Sequence, residues 1–260
     1  MRKLSRILSL GALAAACAAA AAAQAAPKRA GKIAVRWLGH AGFEIVSPGG
    51  TRLLVDPWLT GNPSTPDSLK PVARWSGAHK PAAILITHSH SDHAADAKAL
   101  AVASGAPVVG AYEWVNSLGL PAAQALGGNV GGTFAFGDVT VHLVPAMHSS
   151  DPGGRPLGFV LTFADGRSIY HTGDTWLFGD MSLIQARYHP TILLIGVGGG
   201  PYTEDAATAA WAVKRYFRPT VIIPMHYATF PALNSEAQVR AAFRGDARLV
   251  VMKPGETRAF

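Results

Sequence analysis

Cysteine is almost missing from this chain of 260 residues: there is one, Cys17. Beyond it neither a disulfide nor a thiolate ligand is available, which leaves imidazole and carboxylate as the strong metal donors. Charge is also scarce, at 15% of residues against 49% hydrophobic. That balance excludes a disordered chain and allows a sizeable core. Lys and Arg are scattered, with no basic run and no aromatic ladder among them, so nucleic acid is not an expected partner. Past residue 26 no apolar stretch is long enough to cross a bilayer. The length suits one large domain or two small ones.

The first 26 residues are of a different kind. Arg2, Lys3 and Arg6 form a positive start, residues 7–23 are uncharged and Ala-rich, and Ala23-Gln24-Ala25 is an A-x-A site. This reads as a secretory signal peptide over residues 1–26, cleaved near Ala25 or Ala26, ahead of one domain at 27–260. A periplasmic or secreted location follows, with no stable membrane insertion after processing. A retained anchor is the first alternative, weakened by the shortage of Leu, Ile and Phe. A lipoprotein signal ending at Cys17 is the second, weakened by Ala14 where such boxes usually carry Leu. Loss of the leader's three basic residues lowers the formal charge from +7 to +4.

From Lys32 onward, strands and helices alternate. Strands are predicted at residues 32–38, 43–46, 51–55, 83–87, 107–110, 133–136, 139–144, 157–163, 168–171, 191–195, 220–224 and 248–252. Helices are predicted at 92–103, 180–188, 203–217 and 235–243, and 56–80 reads as a long loop. Gly137-Asp138 and residues 164–167 signal hairpins. The mixture, without a linker, suits one α/β domain of two sheets covered by helices.

The sharpest feature is Thr87-His88-Ser89-His90-Ser91-Asp92-His93, which follows a buried strand and opens a helix. Three imidazoles so close together suffer desolvation and mutual repulsion when protonated. A divalent ion removes the conflict, because it binds imidazole in its neutral form. His148, Asp174 and His226 each follow another predicted strand. One such residue is usually an ordinary loop residue; together they form a rim.

The order H-x-H-x-D-H, then a lone His, then Gly-Asp, then a lone His resembles the metallo-β-lactamase superfamily. The words Trp37-Leu38-Gly39-His40-Ala41-Gly42, Asp56-Pro57-Trp58-Leu59-Thr60-Gly61-Asn62-Pro63, Tyr170-His171-Thr172-Gly173-Asp174-Thr175 and Pro224-Met225-His226-Tyr227 look like its bacterial metal-dependent hydrolase branch, related to L-ascorbate-6-phosphate lactonase. N-acyl phosphatidylethanolamine phospholipase D is a more distant relative with a similar opening word. The resemblance implies an αββα four-layer sandwich with two divalent metal ions at one edge of its sheets. His88, His90 and His148 would hold the first ion, Asp92, His93 and His226 the second, and Asp174 would bridge them. It implies zinc first, with manganese or iron as alternatives. His90 occupies a place that resembles a glutamate in the flavodiiron branch, which favours hydrolysis over redox chemistry. Two departures lie outside the ligands. His226-Tyr227-Ala228-Thr229-Phe230 has Ala where relatives often carry Asn, and the segment at residues 196–203 is looser than its counterpart.

The expected function is therefore a secreted metal-dependent hydrolase, in which a metal-bound hydroxide attacks a small ester, lactone or phosphodiester. Asp92 would also orient the nucleophile or relay its proton. The alternatives are a β-lactam hydrolase and a non-catalytic metal- or ligand-binding protein. The oligomeric state stays open. Asp56 is expected to accept the free N–H of a ligand imidazole. His40 and His171 are candidates for the pocket or its support, and His79, His142 and His189 are expected to be structural. Trp58 and Tyr227 are candidates for the cleft wall, with packing as the other reading. Tyr202 and an anion cradle at Gly198-Gly199-Gly200 before a helix at residue 203 complete the candidates.

Overall fold

The computed structural model describes residues 31–150 and 153–260. The expected leader, with Cys17, lies outside them. The first sheet is built from β1 (Ala34–Gly39), β2 (Gly42–Val46), β3 (Arg52–Val55), β4 (Ala83–Leu85), β5 (Val108–Ala111) and β6 (Ala125–Gly128). The second is built from β7 (Thr133–Phe136), β8 (Val139–Pro145), β9 (Leu157–Phe163), β10 (Ser168–His171), β11 (Ile192–Gly196) and β12 (Val221–Met225). A last strand, β13 (Thr257–Ala259), returns to pair with β1, giving the orders β13-β1-β2-β3-β4-β5-β6 and β12-β11-β10-β9-β8-β7. β3 to β6 are parallel neighbours, as are β10 to β12, while the remaining pairs are antiparallel.

Strand alternation sorts the side chains into layers. Leu53, Val55, Ala83, Leu85 and Val109 face the second sheet, joining Val141, Leu143, Phe159 and Leu161 in the central core. Leu54, Ile84, Ile86 and Val108 point the other way, onto Leu100 and Ala101 of α2 (Ala97–Ser104) and onto Trp75. β10 and β11 are buried along their whole length. Parallel strands covered on both faces read as continuous apolar runs for that reason. Their outer cover is α4 (Met181–Tyr188), α5 (Ala206–Tyr216) and α6 (Glu236–Ala242), which contribute Ile184, Ala209, Val213 and Val239. The result is the αββα sandwich.

Differences from the sequence reading have local causes. The helix predicted at 92–103 is two pieces, α1 (Ser91–Ala94) and α2, separated at Ala95-Asp96. Asp96 accepts hydrogen bonds from the Leu59 and Thr60 amides at 2.6 and 2.9 Å, so its carboxylate is committed to the 56–63 loop. Residues 248–252 are not a strand. They make one parallel bridge, Ile222 with Leu249, before the chain crosses to the other sheet to form β13. α3 (Tyr112–Ser117), β6 and β13 carry no periodic signal of their own and are set by their neighbours. No helix among the described residues is long and apolar enough to cross a membrane.

Candidate metal centre

All seven predicted ligands meet at one edge of the sandwich, delivered by the C-terminal ends of strands. β4 leads through Thr87 to His88, β8 to His148, β10 to Asp174 and β12 to His226. The extended backbone of His90, at φ −60° and ψ 145°, starts α1 and places Asp92 and His93 on its single turn. His40 directly follows β1 and Asp56 directly follows β3. His40, Asp56 and His226 all have left-handed backbones, with φ of 54°, 43° and 60°. Three non-glycine residues in that region beside one centre mark stored strain. The His40 carbonyl accepts from the His226 amide at 3.0 Å and from the Trp37 indole at 2.9 Å, pinning the two sheets together there.

Two glycines are required for close approach. Gly173, at φ 61°, precedes Asp174, and a Cβ there would lie 2.6 Å from the Leu157 carbonyl oxygen. A Cβ on Gly198 would lie 2.3 Å from the His226 carbonyl oxygen. Gly198 therefore packs against His226, while Gly199 and Gly200 lie against Asn234, Asp205 and Ala232. α5 begins at Ala206, later than predicted, and Asp205 caps it by accepting from the Thr208 amide at 2.7 Å, placing a carboxylate where an anion cradle would need to be free.

The donor atoms fall into two groups. His88 Nε2 is 2.9 Å from His90 Nδ1, and His148 Nε2 is 3.3 Å from the same atom. Donors around a tetrahedral ion with bonds of about 2.0–2.1 Å are about 3.3 Å apart. On the other side, His226 Nε2 lies 3.6 Å from Asp92 Oδ2, and His93 Nε2 lies 4.0 Å from it. Between them stands Asp174, whose Oδ1 is 3.4 Å from His93 Nε2. Its Oδ2 is 3.0 Å from His226 Nε2 and 3.8 Å from His148 Nε2. His93 Nε2, His226 Nε2 and Asp174 Oδ1 are buried without a hydrogen-bond partner among the described residues. Such a group of convergent, unsatisfied donors fits bound cations, since each atom left bare would otherwise be costly.

Second contacts decide which nitrogen each ring presents. The fully buried Asp56 accepts from the Thr87 amide at 2.8 Å, the Thr87 hydroxyl at 2.7 Å and His93 Nδ1 at 2.8 Å. The Thr87 hydroxyl in turn accepts from His88 Nδ1 at 3.0 Å. One carboxylate thus holds the protons of two rings on Nδ1 and turns both Nε2 lone pairs to the centre. His40 is different. Its Nε2–H donates to Asp92 Oδ2 at 3.0 Å and its Nδ1 accepts from Thr229 at 3.0 Å. His40 stands within the candidate group of Asp92, His93 and His226, but both its nitrogens are engaged, one of them in support of Asp92. Thr87 and Thr229 carry no signal in the sequence, because hydroxyls are common and their partners lie elsewhere in the chain.

Burial and charge act strongly here. Burial pushes His40 down to about 4, keeping it neutral. Burial works against charge on Asp92, but contacts from His226 and His40 hold its carboxyl well below the usual range. Asp174 behaves alike, through His226 and His93. His226 is held up at about 9 by Asp174 and Asp92, against the effect of its burial.

The remaining candidates separate cleanly. His171 is buried behind the centre, donating to the Ala41 carbonyl at 3.0 Å and accepting from the Gly173 amide at 3.1 Å. It steadies the turn that carries Asp174. Tyr227 is buried and stacked on Trp37, with ring centres 5.4 Å apart, so packing claims it. Trp58 and Tyr202 line the cleft over the centre, together with Phe230. His142 packs on Tyr188, His189 caps α4 and His79 ends a short 3-10 turn, none of them in the cleft.

The profile of the beta-lactamase superfamily domain matches residues 34–226. A UPF0173 metal-dependent hydrolase of Myxococcus xanthus is 45% identical over 246 residues, covering 88% of this chain and 84% of that protein. One from Pyrobaculum arsenaticum is 43% identical over 231 residues, covering 85% and 97%. Among solved structures, Igni18, a metallo hydrolase from Ignicoccus hospitalis, superposes with a TM-score of 0.77 at 33% identity, covering 88% of this chain and 98% of that one.

Proposed function

The chain belongs to the beta-lactamase superfamily and is a metal-dependent hydrolase, and from that premise we propose a dinuclear hydrolase of small carboxylic esters, lactones or phosphodiesters. His88, His90 and His148 would hold one ion, Asp92, His93 and His226 the other, and Asp174 would serve both. The observation that carries this reading is the position of Asp174 Oδ2, within 3.8 Å of a histidine from each group. When bound, two divalent ions supply an activated water and polarise the oxygen of the attacked carbonyl or phosphoryl group. Zinc suits the imidazole and carboxylate donors, and manganese or iron would be accepted by the same set.

The chain's own residues do the positioning. Asp92 is the more exposed of the two ligand carboxylates in the cleft, at 27% of its side chain against 3% for Asp174. Its low pKa makes it a hydrogen-bond acceptor that orients the attacking water and a weak proton store. His40, itself held by Thr229, fixes its Oδ2 from behind. Asp56 aims two ligand rings, holding His93 directly and His88 through Thr87. Trp58, Tyr202 and Phe230 give the upper cleft an aromatic wall.

The test is reconstitution followed by elemental analysis and a panel of lactone, phosphodiester, thioester and β-lactam substrates. Two ions per chain and turnover of at least one class are expected. His88→Ala and His90→Ala should weaken chiefly one site, and His93→Ala and His226→Ala chiefly the other. A ceiling of one ion under excess metal contradicts the dinuclear reading. The leader at residues 1–26 supports an exported protein that starts near Ala26. Intact mass of the exported product tests this: a full-length cytosolic product would sink it, and a lipid adduct on Cys17 would replace it with an anchored form.

A further inference from the structure

The surroundings of the centre point to a particular kind of substrate. The cleft, about 720 Å³, includes Asp92 and Asp174 among its walls but no Lys or Arg among the described lining residues. The positive charge of two ions is already met in part by those carboxylates. Within the cleft itself, a substrate with further negative charge would find no guanidinium or ammonium to pair with beside the reacting group, although such recognition normally uses one. At the N-terminus of α5 the Asp205 carboxylate already accepts from the Thr208 amide.

What the centre has in place of cations is apolar surface. Val130, Met147, Trp176, Tyr202 and Phe230 stand around it with 39–57% of their surface exposed. Large apolar side chains gathered on one exposed face mark a contact site, whereas isolated ones do not. A second groove, of about 650 Å³, begins at the same His148 that borders the cleft. Its walls include the buried Ala111 and Leu157 and the exposed Val130 and Met147, and its one cation, Arg155, is exposed. That volume lies within the range that holds a drug-sized ligand. Because the groove and the cleft share His148, a molecule reacting at the centre can extend into the groove without leaving the surface.

We infer that the substrate is an uncharged carboxylic ester or lactone whose acyl arm is apolar and lies in the groove walled by Ala111, Val130, Met147 and Leu157. The inference rests on the hydrolase reading above. The reaction consumes one water: its oxygen joins the acyl carbon, the acyl C–O bond breaks, and one proton leaves with the alkoxide to give acid and alcohol.

The test uses the metal-reconstituted protein with p-nitrophenyl esters from acetyl to decanoyl, and with p-nitrophenyl phosphate and bis(p-nitrophenyl) phosphate. Specificity, kcat/KM, is expected to rise about threefold to fourfold per methylene over the first several, the value of burying that group. Val130→Asp places a charge at an exposed groove position and should flatten this series by at least about tenfold between its ends, with the thermal midpoint little changed. A flat series in the wild type, a preference for the phosphates, or an unaltered slope in Val130→Asp overturns the inference and leaves the hydrolase reading standing. If no compound is turned over by the two-ion protein, that reading is what fails. The groove is then judged on metal-free protein, by displacement of a fluorescent naphthalene sulfonate with 1-decanol. Wild type should bind the alcohol at least about tenfold more tightly than Val130→Asp, and equal binding overturns the inference.

Discussion

His93 Nδ1 donates to Asp56 Oδ2 at 2.8 Å, with both residues fully buried and Asp56 in a left-handed backbone at φ 43°. The bond decides which nitrogen His93 offers to the centre. Through Thr87 the same carboxylate decides it for His88 as well.

Asp56→Asn should therefore loosen both ions at once. Asn tolerates the left-handed conformation, so the fold is expected to survive. Its amide cannot accept from Thr87 and His93 on both oxygens. Metal affinity is expected to fall about 10- to 100-fold, the usual effect of losing such a partner. Competition with a chromogenic chelator measures it, with a thermal melt as the control; unchanged affinity would remove Asp56 from the support of the centre.

Asp174→Asn tests the bridge. The side chain keeps its size but loses the charge shared between the two groups. The ion at His93 and His226 is expected to weaken strongly, the other less, and turnover should drop at least about 100-fold, several kcal/mol in the transition state. Metal content, unfolding and rate are compared with the wild type. Two tightly held ions with near-native turnover would show that Asp174 is not the bridge.

His226 carries a pH signature. In the metal-free protein its pKa is held at about 9, above the ordinary 6.5: burial opposes the shift, and Asp174 and Asp92 outweigh it. A raised folded-state pKa adds stability that is fully present below about pH 6.5 and disappears as pH rises through about 9. Metal needs the neutral ring, so proton competition weakens loading below about pH 9. The Tm gap between loaded and metal-free protein is expected to widen from pH 6.5 to 9. Melts across that range check the sign, and a gap that narrows would contradict it.

His40→Asn separates support from ligation. Asn accepts the left-handed backbone that His40 adopts at φ 54°, but it is too short to span Asp92 and Thr229. Turnover should fall at least about 10-fold through kcat, with KM and the two-ion stoichiometry retained. Thr229→Val should act in the same direction and more weakly. Loss of one ion in His40→Asn would instead make His40 a ligand.

Much of the centre is legible in the order of residues alone. The cluster from His88 to His93 is local, and a turn of helix after a buried strand suffices to place its donors. His148, Asp174 and His226 stand after apolar runs long enough to be strands, so their common edge follows from strand direction. Weak, Gly-rich β6 and the return of the chain to β13 are not legible, because edge strands owe their form to the neighbour they pair with. Residues 248–252 carry the composition of a strand but lack the partners to continue one.

Ligand types and their order reside in the chain itself: with no thiolate past Cys17, imidazole and carboxylate are the donors available, and the turns that carry them are local. The assembled sandwich settles everything that depends on distant partners. Thr229 lies 189 residues from the His40 it touches, and Asp56 lies 37 from His93. Ring orientation, the neutrality of His40 and the groove beside His148 arise where two sheets close on each other. Burial there removes water as the competing partner, so a single hydrogen bond can choose between the two nitrogens of an imidazole.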